Sequence, residues 1–496
     1  MSVKPPRFRE ESAFKRFMKS LGRSLKGSLR EVWSYTTGKA GLTLLAIFIF
    51  FAILALILLP PDYKYIWNQP KYWQDHPQLA PPEWVRALGY QNAKHEVYTY
   101  TKPVSIKSDS FTIYEYIARY KLDVYDYPQD IVVKLYGIKV PRMGSTTLPV
   151  LLRVHLKRPD GLELEVIDTT LYLPENATIA YVKEPLMLSV DRNLVVTQFS
   201  SMYLNKGIQA NFITTAAVTY LFAKLSVDEE GNVRTTPLKG YYTVTLELYY
   251  PKVVNITNPA RQVSIVVVGD CFGLMGTDER GRDIAQALLY GFPVALAVGF
   301  VTAVASTLIG LFVGAISAYY GGLVDEFLQR LIDVMGNIPL LPFLILLVDI
   351  TPVEYRLQVI MLVLTVFYWG GLAIVVRSMT LSIKEEPYVE AAKAIGASNA
   401  RILLRHIIPQ IIPYAVASLV FSVPGAILAE AGLSVLGLEH GWPTWGKVLA
   451  AARLAGRYDA WWWIIPPGLL LALTSLTFVL LGMAIETIVE PRLRTR

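Results

Sequence analysis

The part of the chain that decides the fold is the stretch EEPYVEAAKAIGASNARILLRHIIP, residues 385–409. Pro387 suits the first turn of a helix, because the N–H that proline lacks is not needed there. The small residues after it continue this helix, and Gly396 is expected to end or bend it. Ser398 is placed to cap a second helix, to which Ile402 and its neighbours give an apolar side. The stretch therefore predicts a short helical hairpin.

Long uncharged segments flank this hairpin, residues 357–376 before it and 406–429 after it. Each is long enough to cross a membrane as a helix. A small-residue helix held crosswise between two membrane helices is suited to fill a groove on another protein. The alternative is a hairpin that only connects the two spans.

The composition is that of an integral membrane protein. Of 496 residues, 53% are hydrophobic and 18% are charged, against about 25% charged in soluble proteins. Uncharged runs of about 20 residues predict six membrane helices. The expected spans are 40–61, about 293–318, 334–350, 357–377, 407–430 and 462–486. The second lies in a longer uncharged run, which predicts a lead-in helix that breaks near Pro293.

Charge predicts the orientation. The first forty residues carry ten Lys/Arg and three acids, which is the whole formal net charge of +7. Positive charge next to a first span places the basic tail 1–39 in the cytoplasm. The 380–409 loop and the basic tail 491–496 then fall on the same side, whereas the acidic loop 319–333 fits less well. The neutral remainder argues against a general nucleic-acid-binding surface.

The first span is expected to be retained as an anchor. Its apolar run exceeds the 7–15 residues of a signal peptide. Residues 62–269 would then form an extracytoplasmic domain. Alternating segments separated by Pro, Gly and Asn predict a β-rich, sandwich-like fold there. The expected strands are 131–138, 150–156, 162–166, 194–199, 242–249 and 263–268. Asn176 and Asn255 begin glycosylation triplets, which support this topology slightly.

Little points to catalysis, and neither catalytic residues nor a metal site are expected. The five histidines are scattered, and one cysteine, Cys271, excludes an internal disulfide framework. The segment GWPTWGKV, residues 441–448, approaches a phosphate-binding loop but ends in Val448 instead of Ser or Thr. Glu430 and Glu486 lie near the ends of expected spans, where a carboxylate can extend to water at little free-energy cost. A helix-end or packing role is therefore favoured over a proton relay for both. Gly310-x-x-x-Gly314 either allows close helix packing or reflects ordinary glycine tolerance.

The central stretch resembles a known motif. Glu390-Ala391-Ala392-x-x-x-Gly396, with Pro409 at the proper distance, resembles the EAA loop of ABC-transporter permeases. The ending Arg405-His406-Ile407-x-Pro409 resembles the dipeptide/oligopeptide (Dpp/Opp) branch of that family. Three further stretches resemble motifs of this branch, and they occur in order: Gly276-Thr277-Asp278-Glu279-Arg280-Gly281-Arg282-Asp283, Tyr319-Tyr320-Gly321-Gly322-x-x-Asp325, and Glu430-Ala431-x-Leu433-Ser434 followed by Pro443-x-Trp445-Gly446. The match is to the C-type subunit.

The resemblance implies the α-helical, six-span fold of type I ABC importer permeases, with a permease core over 270–490 into which the β-rich domain is inserted. It implies a subunit of an ATP-driven importer for peptides or oligosaccharides in the plasma membrane. The implied partners are a second, B-type permease subunit, two cytoplasmic ABC ATPases that hold ATP and Mg, an extracytoplasmic substrate-binding protein and the lipid bilayer; no cofactor on this chain and no nucleic acid are implied. The residues implied for ATPase coupling are Glu390, Ala391, Ala392, Gly396, Ser398, Arg401 and Pro409. In this scheme Ala391 and Ala392 allow the ATPase to approach closely.

Two features depart from the branch. The connection after the first span exceeds two hundred residues, where a few dozen are usual, and Gly482-Met483-Ala484-Ile485-Glu486-Thr487 replaces the usual G-D-x-L-R-D ending.

Two other classes of protein stay open. A secondary transporter would need intramembrane ion sites and usually an internal repeat, and neither is evident. A membrane-anchored receptor or enzyme would place its chemistry in 62–283, where no cluster of catalytic residue types is visible.

Overall fold

The computed structural model describes residues 30–489 apart from 109–110, 141, 144–145, 172–184, 253–255 and 257. The glycosylation triplets at Asn176 and Asn255 and the tail 491–496 lie outside the described residues, as does most of the tail 1–39. The chain forms two compact units. The membrane unit comprises residues 1–64, 287–456 and 464–496, and the β-rich unit comprises 65–286 and 457–463.

The helices, in chain order, are α1 (Thr36–Leu58), α2 (Tyr63–Trp67), α3 (Arg192–Leu204), α4 (Ala217–Phe222), α5 (Ile284–Tyr320), α6 (Gly322–Asn337), α7 (Leu340–Ile350), α8 (Arg356–Ile383), α9 (Pro387–Ala394), α10 (Asn399–Ile402), α11 (Ile408–Val435), α12 (Trp445–Leu454) and α13 (Trp461–Val489). The strands are β1 (Glu96–Tyr100), β2 (Ser105–Ser108), β3 (Phe111–Leu122), β4 (Asp130–Tyr136), β5 (Arg142–Met143), β6 (Thr146–Thr147), β7 (Val150–Lys157), β8 (Glu163–Leu171), β9 (Leu186–Ser189), β10 (Ala223–Val227), β11 (Val233–Pro237), β12 (Gly240–Pro251) and β13 (Gln262–Val268).

Among the described residues, five helices are long and apolar enough to cross a membrane, or six if one bent pair counts as a span. The bent pair is α6 and α7, which meet at 79°. The segment 334–350, expected as one span, comprises the end of α6 and all of α7, with the bend between them. Pro339 lies between the two helices, and it disfavours a helical conformation for Ile338. The break expected near Pro293 is wrong, because α5 continues through this proline.

Two glycines bring α5 and α8 close together. A Cβ on Gly310 would lie 2.7 Å from the carbonyl oxygen of Trp369, and one on Gly314 would lie 2.4 Å from that of Ala373. Neither contact leaves room for a methyl group. Of the two interpretations of Gly310-x-x-x-Gly314, the structure supports close helix packing.

The β-rich unit contains two main sheets. The five-stranded sheet has the order β2-β3-β12-β7-β8 and the four-stranded sheet has the order β1-β13-β4-β9. Buried and partly exposed residues alternate along β12, and the buried ones join a core that both sheets share. Tyrosines within this core bind backbone carbonyls; Tyr242 Oη, for example, donates to Leu238 O at 2.6 Å. The predicted fold class, a helical membrane protein with an inserted β-rich domain, is confirmed.

One predicted strand is wrong. Residues 194–199 lie in helix α3, whose N-cap is Asp191. The carboxylate of Asp191 accepts hydrogen bonds from the backbone N–H groups of Asn193 and Leu194 at 3.0 and 3.1 Å. A capped N-terminus stabilises a helix over residues whose apolar side chains suit a strand equally well. The other five expected strands coincide with β4, β7, β8, β12 and β13.

Candidate coupling site

The predicted hairpin begins with helix α9. Glu386 is the N-cap in an extended conformation, and Pro387 occupies the first turn. The helix ends at Ala394, and Gly396 terminates it with a φ of +81°. The N–H of Gly396 donates to Lys393 O at 2.9 Å and the N–H of Ala397 donates to Ala392 O at 3.1 Å. These two bonds form a Schellman motif, which uses a left-handed glycine to satisfy the last carbonyls of a helix.

One face of α9 packs onto the membrane unit. Val389 and Ala392 are buried in an apolar cluster together with Ile402 of α10. The cluster is completed by residues of the neighbouring helices and of the turn before α11: Leu311, Ala315, Leu372, Val376, Leu403, Ile407, Ile408, Ile411 and Ala415. The hairpin is therefore held firmly against its own spans. The small side chain of Ala392 lies on the face that meets the spans, three residues from Val389.

The opposite face of α9 is exposed. Glu390, Ala391, Lys393 and Ala394 lie on it. Ile395, which follows the helix, has 86% of its surface exposed. A large apolar side chain this exposed, next to Ala394 and one helical turn after Ala391, suits contact with another protein.

The second half of the hairpin differs from expectation at Ser398. Ser398 precedes α10 in an extended conformation, but its side chain makes no capping hydrogen bond. Its carbonyl oxygen accepts from the N–H of Ile402 at 3.0 Å instead. Arg401 is exposed. Pro409 is the second residue of α11 and follows a π-helical turn over Leu403–Ile407, because a proline there cannot donate to the carbonyl four residues earlier and its ring needs extra room.

A polar network joins the Tyr319–Asp325 turn to the hairpin. Asp325 accepts two hydrogen bonds from the guanidinium of Arg377 on α8, from Nε at 2.7 Å and from Nη2 at 2.5 Å. Tyr319 Oη donates to Asn399 Oδ1 at 3.0 Å, and Lys384 Nζ donates to Ala318 O at 3.2 Å. The C-terminal ends of α5 and α8 and the hairpin thus lie together. Asp325 is one of the acids in the loop 319–333 that fits the predicted orientation less well. Its charge is paired with that of Arg377.

The Gly276–Asp283 motif lies in the β-rich unit and stabilises a turn. Asp278 accepts hydrogen bonds from the N–H groups of Arg280 and Arg282 at 2.9 Å, and the side chain of Arg282 donates to it at 2.6 Å. Thr277 Oγ1 donates to Pro77 O at 2.7 Å. The glycines Gly276 and Gly281 have φ of +71° and +75°.

Asp283 ends this motif and caps α5. Its carboxylate accepts from the N–H of Ala285 at 2.8 Å and from that of Gln286 at 3.4 Å. Burial raises the pKa of Asp283, and the hydrogen bonds from Gln286 oppose this rise. The motif therefore acts on the backbone at the start of a membrane helix.

A buried cluster around Glu430 was not predicted. Glu430 Oε1 accepts from Ser434 Oγ at 2.9 Å, from Thr444 Oγ1 at 2.8 Å and from His440 Nε2 at 2.8 Å. His440 Nδ1 accepts the N–H of Trp442 at 3.3 Å, so Nε2 carries the imidazole proton. Glu430 is 3% exposed, so of the helix-end and packing roles expected for it the structure supports packing. The i, i+4 spacing of Glu430 and Ser434 is the sequence signal that could have indicated this cluster.

The same cluster explains the segment 441–448. Thr444 is the N-cap of α12 and accepts from the N–H of Lys447 at 3.2 Å. Trp445 is buried and donates from Nε1 to Leu288 O at 2.9 Å. A Cβ on Gly446 would lie 2.4 Å from Ala431 Cα. These side chains and this close packing occupy the space that a phosphate would need. Glu486, by contrast, is exposed and lines a groove of about 190 Å³ between α11 and α13.

The chain is similar to known transport proteins over its C-terminal part. Residues 306–495 match the family model described as binding-protein-dependent transport system inner membrane component. The dipeptide transport system permease protein DppC of Bacillus subtilis is 35% identical over 222 residues, 44% of this chain and 68% of DppC. The chain belongs to this family. It is a permease subunit of a Dpp/Opp-type ABC importer.

Other relatives of this permease agree. The oligopeptide transport system permease protein OppC of Bacillus subtilis is 33% identical, over 44% of this chain and 72% of OppC. The peptidoglycan transport system permease protein YejE of Agrobacterium fabrum is 29% identical, over 44% of this chain and 57% of YejE. A solved structure of the inward-facing MetNI methionine ABC transporter covers 43% of this chain and 100% of its own, with 20% identity and a TM-score of 0.34.

Proposed function

We propose that this permease subunit passes peptides across the membrane and that ATP hydrolysis on separate ATPase subunits drives the passage. The names of its relatives, which include dipeptide and oligopeptide permeases, support peptides over oligosaccharides as the cargo. The permease itself is non-catalytic in this proposal. The substrate arrives on an external binding protein, and a second, B-type permease subunit completes the path.

The exposed face of α9 is the proposed contact with an ATPase subunit, and the observation that carries this proposal is the division of the hairpin into two faces. Val389 and Ala392 fix one face to the spans, while Glu390, Ala391 and Ile395 lie exposed on the other. A rigid connection transmits a displacement at its exposed side to the helices behind it. Coupling of this kind requires two helix arrangements that a distant ligand favours unequally.

In this proposal the hairpin, the tail 1–39 and the C-terminus lie in the cytoplasm. The hydrogen bond between Tyr319 and Asn399 and that between Lys384 and Ala318 support a common side for the hairpin and the ends of α5 and α8. The β-rich domain then lies outside the cell, where it receives the binding protein.

Replacement of Glu390 by Lys tests the contact. Reversing an exposed charge at a protein interface is expected to weaken ATPase association and to abolish most ATP-driven peptide uptake. The matched control is Glu439→Lys, which makes the same change at another exposed glutamate, beyond the opposite end of α11. Uptake is measured in proteoliposomes with the whole transporter. Equal uptake by both variants would exclude α9 as the coupling contact.

Copurification tests the assembly. The permease is purified from its native membranes in mild detergent, and the proteins that accompany it are identified by mass spectrometry. Two ABC ATPases and a second permease are expected. A permease recovered alone under several detergents would contradict the proposal.

Deletion tests whether the β-rich domain receives the binding protein. Glu96 and Val267 are opposite residues of the antiparallel pair β1–β13, so their Cα atoms lie about 5 Å apart. A short glycine linker can therefore replace 97–266 without displacing the ends. The affinity of the transporter for its binding protein should fall while the ATPases stay bound. An unchanged affinity would show that the binding protein docks elsewhere.

A further inference from the structure

Three side chains of the β-rich unit, two exposed and one partly exposed, form a surface patch that the transport function does not explain. Trp84 Nε1 donates to the carbonyl oxygen of Leu274 at 2.9 Å. The rings of Trp84 and Trp461 lie 5.6 Å apart between centroids. Trp84 is 45% exposed and Leu274 is 73% exposed. We call Trp84, Leu274 and Trp461 the aromatic patch.

Backbone hydrogen bonds hold this patch in place. The N–H of Glu83 donates to Gly273 O and the N–H of Phe272 donates to Pro81 O, both at 2.9 Å. The segments that carry Trp84 and Leu274 are thus paired through the residues just before the Trp84 hydrogen bond. These backbone hydrogen bonds therefore hold Trp84 and Leu274 in their exposed positions.

Trp461 connects the patch with a membrane helix, because it is the first residue of α13. With 29 residues, this helix is about 43 Å long. The hydrocarbon core of a bilayer is about 30 Å thick, and the bilayer with its headgroups measures about 40–45 Å. A helix of this length therefore places its first residue at the level of the lipid headgroups.

An exposed apolar stripe runs along α13 from Trp461. Its members are spaced at helical intervals on one face: Ile465, Leu469, Leu476, Val479 and Met483. A stripe without a charged residue needs an apolar environment along its length. The first residue of this helix, Trp461, belongs to the aromatic patch.

We propose that the aromatic patch inserts into the headgroup region of the leaflet on the side of the β-rich domain and anchors that domain to the lipid. Tryptophan is enriched at this depth, since its ring is apolar while its N–H needs a partner. The N–H of Trp84 is already bound to Leu274 O, so insertion does not leave this donor unpaired. The nearby Arg457 and Asp459 form an ion pair at 2.8 Å. Because the pair has no net charge, it does not by itself oppose insertion of the patch.

Site-specific labels test this contact. Leu274→Cys and, three residues before the helix, Tyr458→Cys are each labelled with a polarity-sensitive fluorophore in the whole transporter in nanodiscs. Leu204→Cys is the matched control, since Leu204 is 69% exposed at the end of α3 in the same unit. The native Cys271 is buried, and burial raises the pKa of its thiol to about 11. It is therefore uncharged at neutral pH and should stay unlabelled.

Two quenchers separate the outcomes. A phosphatidylcholine with a nitroxide on its headgroup should quench the labels at 274 and 458, and aqueous iodide should quench them several-fold less than the label at 204. Strong iodide quenching without lipid quenching would show that the patch is in water and would overturn the proposal. Protection from both quenchers would show that a protein covers the patch, and this outcome would overturn it as well. Neither outcome bears on the coupling contact of α9.

Discussion

At the scale of single residues, the local chemistry of the hairpin was predictable and its orientation was not. The positions of Pro387 and Gly396 follow from backbone chemistry that each residue carries with it. Burial of Ala392, in contrast, depends on which helix face meets the spans, and that is a tertiary property. The three donors around Glu430 likewise come from a helix turn and a loop that only the fold brings together.

Gly396 tests the backbone requirement at the end of α9. Gly396→Val should destabilise the hairpin end by about 1–2 kcal/mol, because an L-residue is disfavoured in the left-handed region. A Cβ there would meet no atom within 4 Å, so the cost is conformational. Uptake should fall, while Gly396→Asn, which tolerates this conformation, should retain most of it. Gly456→Val is the control, with φ of +65° and equal space but outside the hairpin; a similar loss of uptake there would contradict a specific role for Gly396.

Glu430 tests the buried cluster. Glu430→Ala leaves three donors without their acceptor and should lower the free energy of unfolding by about 3 kcal/mol or more, whereas Glu430→Gln keeps a carbonyl acceptor and should cost less. Exposed Glu439→Ala should change it by less than about 0.5 kcal/mol. Thermal unfolding in detergent measures the difference. A Glu430→Ala variant as stable as Glu439→Ala would contradict a structural role for the cluster.

At the scale of elements, hydrophobic length located the spans but not their shape. Uncharged runs identified five long helices, because any helix in hydrocarbon needs about 20 apolar residues. The bend between α6 and α7 does not follow from hydrophobic length, since it depends on Pro339 between the two helices. The helix over 194–199 likewise depends on its cap at Asp191, which a pattern of apolar residues does not reveal.

The α5–α8 contact provides a prediction at this scale. Gly314→Ala should destabilise the membrane unit by about 1–3 kcal/mol, since its methyl group would press on the carbonyl oxygen of Ala373. Gly468→Ala is the control, because that glycine has open space in α13, and alanine should stabilise a helix there by about 0.5–1 kcal/mol. Unfolding temperatures of both variants measure the difference. A neutral Gly314→Ala would mean that the two helices are less closely packed.

At the scale of the whole molecule, the pH dependence of the β-rich unit follows from a buried histidine. His95 Nδ1 is buried without a hydrogen-bond partner. Burial, with the nearby charge of His76, lowers its pKa from 6.5 to about 4. Asp75, Lys134 and Glu96 also act on it, more weakly.

The unfolded chain binds this proton at higher pH than the folded chain does. The stability contributed by His95 is therefore complete above about pH 6.5 and is lost as the pH falls towards about 4, by up to about 3 kcal/mol. Asp270 acts in the opposite direction, because burial and Asp126 raise its pKa to about 7. Comparing the wild type with His95→Phe isolates the histidine, since Asp270 is the same in both.

His95→Phe should remove this acid sensitivity. The ring of His95 already packs edge-on against Phe272 at 5.0 Å, so a phenyl ring fits chemically. Unfolding is followed by tryptophan fluorescence of the whole permease as the pH is lowered from 7. Parallel stability curves for the two proteins would contradict the role assigned to His95.

The sequence by itself determined the membrane class, the approximate position of five long helices, most strands of the inserted domain and the hairpin with its terminating glycine. These properties depend on hydrophobic length, periodicity and backbone preferences, which act over a few neighbouring residues. Only the tertiary structure decided which face of α9 is buried, which donors surround Glu430, how closely α5 approaches α8 and that Trp84 lies against Trp461. Each of these depends on residues far apart in the chain, and their proximity arises only when the elements pack.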